Sequence, residues 1–185
     1  MNYPIYFDSK KSSHLFELND RFDFLKDLYI KNKLPNVLML SGQKGLGKST
    51  LINHLLFYIF DKNNYDVKNY NFDNKSSFYN QFLSNIFSNI IYLSGSDFKN
   101  IKIEDIRNLK SKILKTTILN KPRFIIFDDV EVFNNNSLNA LLKILEEPSI
   151  NNYFVLINNL SNPLIDTIKS RCLYLYLFSL SSKAK

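Results

Sequence analysis

An α/β fold with a parallel central sheet flanked by helices is what this sequence predicts, and three observations predict it. Three of the four glycines, Gly42, Gly45 and Gly47, fall within six residues, between an apolar run and a helix-like segment. A second apolar run, Phe124 to Phe127, ends in the carboxylates Asp128 and Asp129. Strand-like runs then alternate with helical periodicity along most of the 185 residues, which is the pattern of βαβ units.

The elements follow in order. Residues 13 to 32 read as an amphipathic helix, with Leu15, Phe16, Leu18, Phe22, Phe24, Leu25, Leu28 and Tyr29 mostly at helical spacing. Pro35 breaks the chain before the first strand, Val37 to Leu40, and Leu51 to Phe60 forms the helix after the glycines. Residues 61 to 100 are Asn-rich and aromatic without clean periodicity. Phe78, Phe82, Leu83, Ile86, Phe87 and Ile90 suggest one helix there, and Ile91 to Leu93 a short strand. Ile103, Ile106, Leu109, Lys110, Ile113 and Leu114 outline a further helix, which carries Lys102, Arg107, Lys110, Lys112 and Lys115 on its other faces. Phe124 to Phe127 is continuously apolar, the mark of a strand buried on both faces. A helix from Asn136 to Glu147 is stopped at Pro148, and Tyr153 to Ile157 is another buried strand. A short helix from Leu164 to Lys169 and a strand from Leu173 to Phe178 complete the pattern.

Composition narrows the class. Hydrophobic residues make up 45% and charged residues 22%, values ordinary for a globular chain of one domain. No apolar stretch approaches the ~20 residues that span a bilayer. The first residues lack the basic start and apolar core of a signal peptide, so a cytoplasmic location without membrane contact is expected. The single cysteine, Cys172, excludes an intrachain disulfide and a cysteine-cluster zinc site. The net charge of +7 suits a phosphate-bearing partner. The basic residues are spread along the chain, so this signal is weak.

Residues 42 to 49 match the phosphate-binding pattern G-x-x-x-x-G-K-[ST] at every fixed position. Glycines let the backbone turn its N–H groups towards phosphate oxygens, and the following helix adds its positive N-terminal end. In this pattern Lys48 reaches the β- and γ-phosphates and the Ser49 hydroxyl holds Mg²⁺. About 80 residues on, Asp128 is placed at the carboxyl end of a sheet strand, where ligands of open α/β sheets bind. It is the expected Mg²⁺-side acid. Asp129 stands where a water-polarising Glu is common in active ATPases, one methylene shorter, which lowers the expectation of hydrolysis. The ligand expected is therefore ATP with Mg²⁺.

From Ile103 onward the sequence resembles the clamp-loader branch of the AAA+ ATPases, and within it the delta-prime type of subunit. The residues that carry this are Ile106-Arg107, Phe127-Asp128-Asp129, the block Asn139 to Pro148, Asn152 to Asn159, and Ser170-Arg171-Cys172. With the phosphate loop included, the resemblance covers residues 34 to 178. It implies a P-loop NTPase three-layer fold. Residues 1–33 would be a lead-in and helix of the same domain, 34–180 the nucleotide-binding domain and 181–185 a short tail.

The resemblance also implies roles. Gly42, Gly45, Gly47, Lys48, Ser49 and Thr50 match the loop, and Asp128 the metal-side acid. Asn158 or Asn159 matches the polar sensor of the γ-phosphate; Asn159 is preferred because it ends the apolar run. Arg171 matches an arginine finger that enters a neighbouring subunit's ATP site, a task suited to a permanently charged, forked guanidinium. Three departures accompany the match. The region that holds a four-cysteine zinc module in many relatives has no cysteine here, so no zinc is expected. Asp129 replaces the usual Glu. The sequence runs to Lys185, so the helical lid and collar domains of relatives are expected to be absent from this chain.

The function implied is that of a clamp-loader subunit. It would bind ATP, sit among other clamp-loader subunits in a hetero-oligomeric ring, and support loading of a sliding clamp onto primer-template DNA during replication. It would be an accessory subunit of a DNA polymerase holoenzyme with weak or absent ATPase of its own. The basic helix around Arg107 and Lys110 would face duplex phosphates. The alternative is an autonomous P-loop ATPase of another DNA transaction, which predicts turnover by the isolated chain.

Overall fold

The structure, a computed structural model, describes residues 8–95, 106, 108–109, 113, 121–148 and 151–178. In chain order, the strands among them are β1 (Val37–Ser41), β2 (Tyr65–Asp66), β3 (Asn71–Phe72), β4 (Ile90–Ser94), β5 (Arg123–Asp128), β6 (Asn152–Asn158) and β7 (Leu173–Tyr176). The helices bounded within the described residues are α1 (Asn19–Ile30), α2 (Lys48–Phe60), α3 (Ser77–Leu83), α4 (Asn135–Glu146) and α5 (Asp166–Lys169). The chain divides into two compact units. One joins Pro35–Leu46 to Ser88–Lys185, the other Met1–Leu34 to Gly47–Phe87.

The first unit is built on a five-stranded sheet of order β4-β5-β6-β1-β7. Every pairing in it is parallel. Parallel pairing leaves no hairpins and requires crossover connections between the strands. Val37, Met39, Ile125, Phe127, Phe154 and Leu156 share a core with Leu138, Leu141, Ile144 and Leu145 of α4 and Ile168 of α5. Ile106, Leu109 and Ile113, all helical, pack into the same core. Leu38, Leu40, Phe124, Ile126, Val155 and Ile157 are buried too, so the central strands are apolar at nearly every position. The Asn134 side chain caps α4 by accepting from the Ser137 N–H at 2.9 Å. At its other end Glu147, at φ −127° and ψ 69°, has left the helical region before Pro148, which disfavours helical dihedrals in the residue before it.

The parallel register brings the carboxyl ends of the strands to one edge. Ser41 lies opposite Asn158 and Tyr176, and Ser94 opposite Asp128. The chain passes from β6 to β7 across β1, so the strand order reverses beside β1, and crevices at such reversals bind ligands.

The second unit has an aromatic core. Phe57 of α2 stacks on Phe72 of β3 with ring centres 3.8 Å apart. It also meets Phe78 and Phe82 of α3 edge-on. Phe22 of α1 stacks on Tyr65 and meets Tyr58 edge-on.

Three expectations change here. The first helix begins at Asn19 and not Ser13, because residues 13–15 extend alongside β3: Leu15 N–H donates to Tyr70 and Phe72 N–H to Ser13. The helix expected over Phe78–Ile90 stops at Leu83, since Asn85 adopts φ +54° and Phe87 folds back on Phe60 and Phe78. The hairpin β2–β3 has no counterpart in the periodicity. The basic residues Lys102, Arg107, Lys110, Lys112 and Lys115 lie outside the described residues.

Candidate nucleotide site

Ser41 ends β1, and the glycine loop starts from it. Its carbonyl accepts from Leu177 N–H at 2.8 Å, and Gly42 N–H donates to the Asn158 carbonyl at 3.2 Å, so the loop's first turn is tied to β6 and to the segment after β7. Gly42 has φ +152°, and a Cβ there would stand 2.3 Å from the Leu177 carbonyl oxygen. No other residue fits. Gly45 has φ +91° but open space around it, so only its backbone conformation demands glycine.

In the other unit, Gly47 holds the N-terminal end of α2 in the left-handed region at φ +75°. Leu51 N–H donates to the Gly47 carbonyl at 2.8 Å, which starts the helical ladder. Gly47, the N-cap residue of α2, makes no side-chain cap bond, and no acidic residue sits in the first turn. That turn therefore offers its positive end to an anion. Lys48 is buried, and Ser49 and Thr50 are half-buried.

At the carboxyl edge of the sheet, Asp128 and Asp129 take different roles. Asp128 Oδ1 accepts from the Asp129 N–H at 2.9 Å, and Oδ2 accepts from the Tyr92 hydroxyl of the adjacent strand β4. Asp129 is buried and sits at φ +52°, a conformation that costs a non-glycine residue about 1 kcal/mol or more. Its Oδ1 accepts from the Asn159 side-chain amide at 2.6 Å.

The two adjacent asparagines are likewise separated by their partners. Asn158 is buried, and its Oδ1 accepts from the Leu160 N–H at 3.0 Å, so it shapes the turn. Asn159 keeps its amide on Asp129. Its N–H donates to Glu131 Oε1 at 3.0 Å. Thus Asp128, Asp129 and the Asn158–Asn159 pair meet at one sheet edge together with the first turn of the glycine loop.

Arg171 lies apart from this group. Its guanidinium donates to the Thr167 carbonyl at 2.7 Å and pairs with the Glu146 carboxylate at 2.5 Å while staying about a third exposed. Cys172, beside it, donates its thiol to the Ile168 carbonyl, and burial pushes its pKa up to about 11. It is a packed, protonated thiol.

Two members of the cluster were not singled out from sequence. Glu131 had one signal, a carboxylate two residues beyond the aspartate pair. Tyr92 had none, because only strand pairing brings β4 beside β5.

The donor types suit a nucleoside triphosphate with a divalent cation. In the sheet unit, the positive-φ glycines Gly42 and Gly45 fit phosphate oxygens and the Asp128 carboxylate fits a hard cation; in the other unit, a buried lysine and a helix start without acidic residues suit phosphate as well.

Residues 18–181 match the sequence model of a family described as DNA polymerase III, delta subunit. A DNA polymerase III subunit delta' of Buchnera aphidicola is 27% identical over 146 residues, covering 77% of this chain and 44% of that protein. The subunit delta' of Pseudomonas aeruginosa is 38% identical over 74 residues, 40% of this chain and 23% of the relative. The chain thus spans less than half the length of these relatives. Among solved structures, a DNA polymerase III gamma subunit-related protein of Thermotoga maritima superposes with TM-score 0.63 at 22% identity, covering 89% of this chain and 48% of the other. The RuvB Holliday junction branch migration motor of the same organism gives TM-score 0.51 at 19% identity, over 86% of this chain and 44% of RuvB. At such identities the likeness speaks for the fold alone, a P-loop fold of the AAA+ type.

Proposed function

Because this chain belongs to the DNA polymerase III delta-subunit family, as a delta-prime-like member of the clamp loaders, we propose that it is a subunit that binds ATP with Mg²⁺ and supports loading of a sliding clamp onto primed DNA. The observation that carries the reading is the glycine loop. The Gly42 backbone excludes any side chain, and the loop leads into a helix whose first turn carries no acidic residue.

Gly42, Gly45 and Gly47 would shape the backbone around the phosphates, and Thr50 would lie in the first turn that faces them. Lys48 would neutralise the β- and γ-phosphates. Ser49 and Asp128 would hold Mg²⁺, which when bound draws charge from the phosphate oxygens. Asn159 would sense the γ-phosphate by giving up its amide contact with Asp129. That contact also ties up the carboxylate that would polarise an attacking water, and Asp129 is shorter than Glu. Both features favour binding over turnover. Arg171 would act on a neighbour's nucleotide and not on the chain's own. Its partners would be other clamp-loader subunits, with sliding clamp and primer-template DNA reached through the assembly. No helix among the described residues is long and apolar enough to cross a membrane.

The test is ATP binding and hydrolysis measured on one purified sample, wild type beside Lys48→Ala. The expected result is Mg²⁺-dependent binding that Lys48→Ala weakens at least about tenfold, with turnover far below the usual ~10 s⁻¹ of enzymes. Robust turnover by the chain alone would instead make it an autonomous ATPase with Asp129 as a working base.

A further inference from the structure

We propose that Glu131 is a positioning residue of the nucleotide site: it fixes the loop 159–161, and so the place from which the Asn159 amide works. This rests on the reading of Asn159 as the γ-phosphate sensor.

Glu131 sits in the short turn Val130–Val132 that follows β5 and is only 5% exposed. A carboxylate buried that far survives only if donors meet it. Its Oε1 accepts from Asn159 N–H at 3.0 Å, Ser161 N–H at 3.4 Å and Ser161 Oγ at 2.8 Å. The N–H of Leu160, between them, goes to Asn158 Oδ1. Every backbone donor of the loop is therefore taken by a side-chain oxygen, two of the three by Glu131. Leu160 is held at φ +60°, a conformation a leucine does not keep unaided. Such a backbone stays in place only while the surrounding bonds over-determine it.

The labour is divided between two carboxylates on one turn. Asp129 holds the Asn159 side chain, and Glu131 holds its backbone. A γ-phosphate that draws the amide off Asp129 breaks the first contact and leaves the second. The amide can then swing by rotation of its own side chain, from a fixed base. Without Glu131 the base is lost, and the sensor's contact with the phosphate must first order the loop. Glu131 Oε2, buried and without a hydrogen-bond partner among the described residues, takes no part in holding the loop. Gln at this position keeps the accepting Oε1 and is the conservative replacement.

The experiment is calorimetric titration of the whole chain with a non-hydrolysable ATP analogue and with ADP, each with Mg²⁺. The readout is the ratio of the two affinities. Asn159→Ala is expected to lower the ratio about tenfold, and Glu131→Ala to lower it by a similar factor while ADP affinity moves less than about twofold. Glu131→Gln should restore most of the ratio. In the double variant the loss should not exceed that of Asn159→Ala alone, because one residue acts through the other. Should Glu131→Ala not fold, Ser161→Ala, which removes the shortest bond to Oε1, is expected to lower the ratio about threefold. If Asn159→Ala leaves the ratio unchanged, the sensor reading falls. If Asn159→Ala lowers it while folded Glu131→Ala or Ser161→Ala does not, the positioning role of Glu131 is overturned and the sensor reading stands.

Discussion

Gly42 and Gly45 lack the same atoms and share a positive φ, yet alanine should harm them unequally. At Gly42 the added Cβ meets a backbone carbonyl at 2.3 Å, and backbone cannot step aside as a side-chain end can. At Gly45 it meets nothing. We expect Gly42→Ala to destabilise by about 3 kcal/mol or more, and Gly45→Ala by about 1 kcal/mol, the cost of the dihedral alone. Urea unfolding of the two variants checks this, and equal losses would show that the Leu177 contact is not rigid. The loop was legible in sequence because its chemistry is local: glycines, lysine and serine at fixed spacing. The partners of Asn158, Asn159, Asp129 and Glu131 were not. Two adjacent asparagines look alike on paper, and only the turn after β6 makes one a cap and sends the other to Asp129.

At the scale of elements, α2 carries a buried histidine amid the aromatic core. His54 Nε2 faces the Ser12 carbonyl at 3.1 Å, which can only accept, so Nε2 bears the proton and Nδ1 accepts from the Tyr65 hydroxyl at 3.0 Å. Burial pushes its pKa down from 6.5 to about 4. Between those values the unfolded chain binds more protons than the folded one. Stability is therefore full above pH 6.5 and falls as the pH drops towards 4, by up to about 3 kcal/mol. Urea midpoints from pH 7 to 4.5 should fall more steeply for wild type than for His54→Gln; parallel curves would assign the acid sensitivity to other groups. The buried strands β1, β5 and β6 were plain in the sequence, because double-sided burial writes an unbroken apolar run. The start of α1 was not, since the apolar Leu15 satisfies a helical pattern equally well while its backbone pairs with the hairpin.

For the whole molecule, the reading of Arg171 concerns a site on another chain. Its ion pair with Glu146, a third exposed, is worth at most about 1 kcal/mol, small beside what a guanidinium gains from a developing phosphate charge. In a reconstituted assembly we expect Arg171→Ala to cut the partner's ATP turnover about a hundredfold or more while this chain's own nucleotide affinity stays the same. Unchanged partner turnover would reduce Arg171 to a link between α4 and α5. The class of fold, the strand that ends in carboxylates and the glycine loop were readable from the amino-acid order, since each depends on residue types at short, fixed spacing. Which strands are neighbours, which asparagine faces Asp129 and that Glu131 holds loop 159–161 became visible in the folded chain. Those contacts join residues about 30 positions apart. They arise from the parallel order β4-β5-β6-β1-β7, and no local periodicity encodes that order.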